Sequence, residues 1–392
     1  ASDISHINED RTSIVVENMD ESIILAADIL NQGEEETYSI YLWYDEKAGN
    51  EIMNQKFEGS INILSTATYK KEKTAVEYIK DKSLNNNELV YDGTSENNLR
   101  YIGANPNNYV SFNNELWRII GVMENVDDGS GKSEARVKII RNEPIGNYIW
   151  DTSDSTINQG NGVNEWSQAD TMKLLNPGHE TETIGGSLYW NRQSGKCYNG
   201  LGDATIDCDF TANGLSEEAK KYIGSAVWYT GSNGDLDEKS ILAHQFYELE
   251  RSNKTGKICE TGVGCTDNIM RTTTWTGKIG LMNLSDYEYA TSGGTLTDRT
   301  TCLGKQWLMM GEEDARECRE NNWLYYAGDY QWTMNPLAWS VGGGAFFIRG
   351  DEYRDNGSCT NLNKVSPVAF LNSTVKIIKG DGSSENPFIV SI

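Results

Sequence analysis

The chain opens in alternation. Across residues 37–44, Tyr38, Ile40, Leu42 and Tyr44 fall on one face and Tyr41 and Trp43 on the other, the period of a strand covered on both sides. After an Ala48-Gly49-Asn50 turn signal, Phe57, Gly59, Ile61 and Ile63 alternate against Glu58, Ser60 and Asn62. Residues 13–16 and 22–25 are two further short apolar runs of strand type. Together they predict an all-β sandwich over 1–70. A charged stretch follows, Tyr69-Lys70-Lys71-Glu72-Lys73, then Ala75-Val76-Glu77-Tyr78-Ile79 and Asn85-Asn86-Asn87. It reads as a linker over 71–88 with one short helix, and as the domain boundary.

From residue 89 the periods mix. Residues 108–122 read as two strands around an Asn113-Asn114 turn, and 136–140 as a third strand. Helical spacing appears over 168–176, behind an Asn164 or Ser167 cap. It appears again from the near capping box Ser216-Glu217-Glu218-Ala219, and over 239–250, where Ile241, Leu242, Phe246 and Leu249 share one side. Short strands return at 279–282, 345–348, 368–371 and 387–390, between long loops rich in Gly, Asn, Asp and Trp. This predicts an α+β domain over 89–392. No internal repeat of solenoid period is present.

Composition narrows the partners. The 392 residues carry 34 Lys and Arg against 58 Asp and Glu, a net charge of −24, which argues against nucleic acid and anionic lipid. The acidity serves either solubility or cation binding. With 11 Trp and 20 Tyr against 8 Phe, the aromatic residues are mostly rings with a polar handle. No apolar run is long enough to span a membrane. Ala1-Ser2-Asp3 lacks the basic and apolar regions of a leader, so export implies a segment already removed.

Six of the seven cysteines fall into local pairs: Cys197 with Cys208, Cys259 with Cys265, and Cys302 with Cys318. None has zinc-site spacing, and His6, His179 and His244 are the only histidines. Loop-pinning disulfides in an oxidising compartment are expected; the alternative is six reduced thiols in an intracellular protein. Cys359 is left over as a free or intermolecular thiol.

An ordered series resembles a C-type-lectin-like, or formylglycine-generating-enzyme-like, bacterial domain. It runs Tyr109-Val110-Ser111-Phe112, Leu116-Trp117-Arg118-Ile119-Ile120-Gly121, Glu165-Trp166-Ser167 and Leu174-Leu175-Asn176. It continues with Ile279-Gly280-Leu281-Met282, Ser285-Asp286-Tyr287, Trp332-Thr333-Met334-Asn335-Pro336, Ala345-Phe346-Phe347-Ile348 and residues 365–371. The resemblance covers roughly 90–392 and implies a lectin-like core with long loops. In the first region, Tyr38-Ser39-Ile40-Tyr41-Leu42-Trp43 and residues 49–57 resemble part of the camelysin-class β-sandwich of biofilm fibres. The strands that precede this hairpin in that family are missing here. The two resemblances imply a bacterial cell-surface adhesin or fibre protein.

Catalytic motifs are thin. The chain has no GxSxG elbow, HExxH, P-loop or dinucleotide-binding glycine pattern. Gly342-Gly343-Gly344 reads as a turn or bulge before a strand, and His244 as a neighbour of a helix core. Two enzyme readings remain as alternatives: a glycoside hydrolase with paired carboxylates, and a thiol-dependent copper oxidase, which the formylglycine-generating resemblance implies. Residues 127–131, 151–154, 233–237 and 381–383 offer oxygen ligands on turns, either as solvated loops or as a structural calcium site. Aromatic residues interleaved with amides and charges, Tyr330, Asn335, Trp339, Arg349, Asp351 and Arg354, form the candidate surface for a glycan or protein partner. Trp332 and Pro336 are assigned to the core. Asn253, Asn283, Asn356 and Asn372 carry the Asn-x-Ser/Thr pattern.

Overall fold

The computed structural model describes residues 72–152, 156–200, 204–233, 240–252, 269–306, 313–325, 329–338, 343–349 and 354–392, with Thr37, Gly49, Asn50, Gly202, Leu236 and Asp267. The chain divides into two compact units, Ala1–Lys70 and Lys71–Ile392. The strands expected at 13–16, 22–25, 38–44 and 57–63 lie outside the described residues, so the account below is of the second unit.

This unit begins with helix α1 (Ala75–Ser83), whose first turn is closed by a reciprocal cap. Thr74 Oγ1 accepts from Glu77 N–H at 3.2 Å, and Glu77 Oε2 accepts from Thr74 N–H at 2.8 Å. Nine residues do not hold a helix in water on their own. Packing holds this one: Ala75 and Ile79 are buried, and Ala75 N–H donates to Val375 O at 2.6 Å. The helix expected within the 71–88 linker is therefore part of this unit's core.

Strands β1 (Leu89–Tyr91), β2 (Leu99–Tyr101), β3 (Tyr109–Phe112), β4 (Glu115–Asp127) and β5 (Ser133–Arg141) follow. Asn113 and Asn114 both sit at positive φ, 57° and 61°, which suits the tight turn joining β3 to β4. A mixed middle section contains β6 (Asn147–Tyr148), α2 (Asp170–Leu175), β7 (Ser194–Tyr198), β8 (Thr205–Asp209), α3 (Glu217–Tyr222) and β9 (Ala226–Tyr229). Next come α4 (Ala243–Glu250), β10 (Thr274–Gly277), β11 (Ile279–Gly280), α5 (Leu284–Tyr289), α6 (Arg299–Leu303) and α7 (Arg316–Glu320). The chain closes with β12 (Tyr330–Pro336), β13 (Gly344–Arg349), β14 (Arg354–Ser358), β15 (Asn363–Lys364), β16 (Val368–Phe370), β17 (Lys376–Lys379) and β18 (Phe388–Ser391). The Ser216 cap is formed, its side chain accepting from Ala219 N–H.

The architecture is mixed α+β, richer in strand than helix, with several sheets including a curled half-barrel. The large sheet runs β11-β16-β5-β4-β3-β18-β17, with β2 also on β4 and β1 on β2. Strand β4 thus serves β3 with its first residues and β2 farther along. Gly121 makes that branch possible, because a Cβ there would lie 2.1 Å from Leu99 O. The smaller sheet runs β14-β13-β12-β15-β6. A chain of rings joins the layers: Trp150, Trp166, Trp275, Trp228 and Phe370 follow one another at centroid separations of 4.8–6.5 Å. Trp332 and Pro336 are buried, and Trp332 Nε1 donates to Tyr148 O at 3.0 Å.

Candidate functional site

Strands β12 and β13 place Tyr330 opposite Arg349 at the end of the smaller sheet. The Tyr330 ring is 40% exposed, and its inner face rests on Phe347, centroid to centroid 5.3 Å. The Arg349 guanidinium lies 5.6 Å from the same ring, within cation–π range. Beside them, Lys364 on β15 reaches Asp329 at 2.8 Å. Arg354 opens β14 opposite Ile348, so its backbone belongs to the same edge. Trp339 and Asp351 lie outside the described residues, as does the side chain of Arg354.

Asn335 is not on this surface. It is 2% exposed, accepting at Oδ1 from Leu284 N–H at 2.8 Å and donating from Nδ2 to Gly231 O at 3.4 Å. Its amide satisfies backbone groups of the α5 entry and of the segment after β9 that are cut off from solvent.

At the opposite end of the β12–β13 hairpin, loop roots are pinned by buried polar groups. Asn164 Nδ2 donates to Leu337 O and Gly344 O, tying together the ends of the β12–β13 connection. Asn164 Oδ1 accepts from Arg271 Nε at 3.0 Å, and Arg271 grips Asp267 with two bonds of 2.6 Å. Glu165 accepts from Thr272 N–H at 2.7 Å and caps the turn holding Trp166. Thr152 Oγ1 donates to Gly202 O at 3.0 Å, anchoring the β7–β8 hairpin.

Two of the expected disulfides are formed, Cys197–Cys208 across the β7–β8 hairpin and Cys302–Cys318 between α6 and α7. Cys259 and Cys265 lie outside the described residues. Cys359 is free and fully buried; burial, with the Asp151 carboxylate nearby, pushes its thiol well up. A neutral thiol without access to solvent is a poor nucleophile and a poor intermolecular partner.

Of the proposed calcium loops, Asp127 accepts from Gly129 and Gly131 N–H, Asp128 from Ser130, and Asp381 from Ser383. Asn233 is buried and bonded to Leu236 O and Ala338 N–H. Among the described residues no three His, Cys, Asp or Glu side chains converge as metal ligands. His244 is exposed on α4 rather than set beside a helix core, and His179 contacts Glu182 at 3.3 Å.

No family model, curated protein or solved structure matches the chain.

A buried charge cluster was not anticipated from the sequence. Arg100 on β2 bridges Asp92 Oδ2 at 2.9 Å and Asp286 Oδ1 at 2.6 Å, and Lys138 on β5 meets Asp286 Oδ2 at 2.5 Å. Glu250 is fully buried, accepting from Ser285 N–H at 2.9 Å and from its hydroxyl, and burial raises its pKa. The signal available was a cation in an apolar strand, as in Leu99-Arg100-Tyr101 and Val137-Lys138-Ile139. Such a cation must either reach solvent or find a buried anion.

Proposed function

We propose that the chain is a non-catalytic extracellular binding module with a C-type-lectin-like core, which holds a glycan or protein partner at the β12–β13 end. The observation that carries this reading is the Tyr330 ring, half open to solvent, backed by Phe347 and overlain by the Arg349 guanidinium. A half-exposed aromatic ring carrying a cation, with an ion pair beside it, suits edge contact with a sugar or insertion into a protein groove. Two disulfides are consistent with an oxidising, extracellular setting, and no helix among the described residues is long and apolar enough to cross a membrane. Self-association through residues 1–70 belongs to the same reading and is supported by the sequence of that region alone.

The test is a glycan and protein array with the full chain, repeated with Tyr330→Ala. Binding lost in the variant, with its fold intact by circular dichroism, supports the proposal. Binding unchanged in the variant moves the site elsewhere, and catalytic turnover of an arrayed substrate would overturn the non-catalytic reading. A glycosidase at the most evident carboxylate pair is disfavoured by geometry. Asp151 and Asp170 are in hydrogen-bonding contact, whereas glycoside cleavage needs carboxyl groups roughly 5–9 Å apart.

A further inference from the structure

Lys138 occupies the middle of β5, between core residues Val137 and Ile139, and its side chain is 5% exposed. Its Nζ meets two groups: Asp286 Oδ2 at 2.5 Å and Asn283 Oδ1 at 3.2 Å. The rings of Trp228 and Phe370 each lie 5.5 Å from Nζ, leaving the amine in an apolar wall. The Asn283 carboxamide is held from its other end, Nδ2 donating to Tyr229 O at 2.9 Å. Asp286 is held as well: Oδ1 receives Arg100 at 2.6 Å, and Oδ2 also accepts from Asn283 N–H at 2.9 Å. The amine is therefore fixed in contact with both a carboxamide oxygen and a carboxylate, away from water. An ion pair needs only two of the three.

We propose that Lys138 and Asn283 join in an intramolecular isopeptide bond, with Asp286 moving the protons. Asp286 takes a proton from the Lys138 ammonium, leaving a neutral amine. The Nζ lone pair attacks Asn283 Cγ and forms the new C–N bond. Collapse of the tetrahedral carbon breaks Cγ–Nδ2, and a second proton leaves Nζ. Both protons pass to the departing nitrogen, which exits as ammonium, and Asp286 returns to its carboxylate form. Atoms and charge balance without an oxidant or cofactor.

Despite burial, Lys138 and Arg100 hold the Asp286 carboxyl below its usual range, so the proton it takes is passed on rather than retained. Burial lowers the Lys138 ammonium despite the pull of Asp286, which assists its deprotonation. Holding the reacting groups in contact removes most of the entropic barrier to an otherwise slow aminolysis. A cleft bounded by Trp228, Phe370, Asn283 and Asp286 has a free volume of about 20 Å³, space for one small leaving molecule. The bond would tie β5 to the start of α5 across 145 residues, a covalent brace between distant parts of the chain.

The experiment is the intact mass of the full chain, unfolded and reduced. The expected value lies about 17 Da below the sequence mass, the loss of one ammonia, with a branched proteolytic peptide joining positions 138 and 283. Lys138→Arg and Asn283→Ala should restore the sequence mass of each variant. Because those variants can fail to fold, the wild-type peptide map decides on its own. Separate linear peptides carrying an unmodified Lys138 and Asn283, at full sequence mass, overturn the proposal. A loss of about 18 Da with the bond at Asp286 overturns it equally, since the acceptor would then be the wrong side chain.

Discussion

The Asp170 backbone N–H donates to Asp151 Oδ1 at 3.3 Å, which brings the two largely buried carboxyl groups into one site. Burial pushes both up, Asp151 the further because the Asp170 charge acts on it as well. Val163 N–H donates to Asp151 and Thr152 N–H to Asp170, so the pair fastens the two ends of the 151–170 segment together.

A carboxyl with a raised folded pKa keeps its proton in the fold while the unfolded chain ionises from about pH 4 upward. The contribution of the pair is thus complete below that pH and is lost as pH rises through the raised folded values. Asp170→Asn removes the repulsion, so the variant should gain stability relative to wild type between pH 4 and 8, read by denaturant titration at several pH values. Parallel stability curves would show that the pair is not titrating in this window.

The cysteines give a second expectation. Native protein should leave Cys197, Cys208, Cys302, Cys318 and Cys359 unlabelled by a thiol reagent, four as disulfides and one by burial. Unfolding without reductant should expose Cys359 alone of these five. Opening either disulfide, with loop separations of 11 and 16 residues, should cost roughly 3 kcal/mol in denaturant titrations. Ready labelling of the paired cysteines in the native state would remove the support for an oxidising compartment.

Asn335 and Tyr330 should behave in opposite ways. Asn335→Ala leaves Leu284 N–H buried without its partner and is expected to cost about 1–3 kcal/mol of stability. Tyr330→Ala, at a half-open strand end, should change stability by less than about 1 kcal/mol. Thermal unfolding of both variants checks the contrast, and an equal loss in the two would put Tyr330 in the core.

Removal of residues 1–20 tests the proposed self-association. If a strand from this region completes a neighbouring subunit's sheet, filaments seen by electron microscopy should give way to soluble, folded subunits. Full-length protein that stays monomeric at high concentration, without filaments, would count against a fibre.

Local pattern was enough for elements whose signal is short-range. The Asn113-Asn114 turn, the Ser216 cap and the short apolar runs of β5, β13 and β16 were legible because each depends on residues within one turn or one strand. The Cys197–Cys208 and Cys302–Cys318 pairings were legible for the same reason, each closing a loop of fewer than 20 residues. Tertiary structure decided what depends on distant chain. The Ala75–Ser83 helix looks like a linker until Val375 supplies its hydrogen bond and the core its packing. Asn335 looks like a surface amide until Leu284 and Gly231 approach it. Lys138 acquires a shared chemistry with Asn283 and Asp286, 145 and 148 residues away along the chain, only when β5 and the α5 entry are packed together. Sequence spacing carries no information on such contacts, because a buried charge or amide is stabilised by whichever distant group the fold delivers to it.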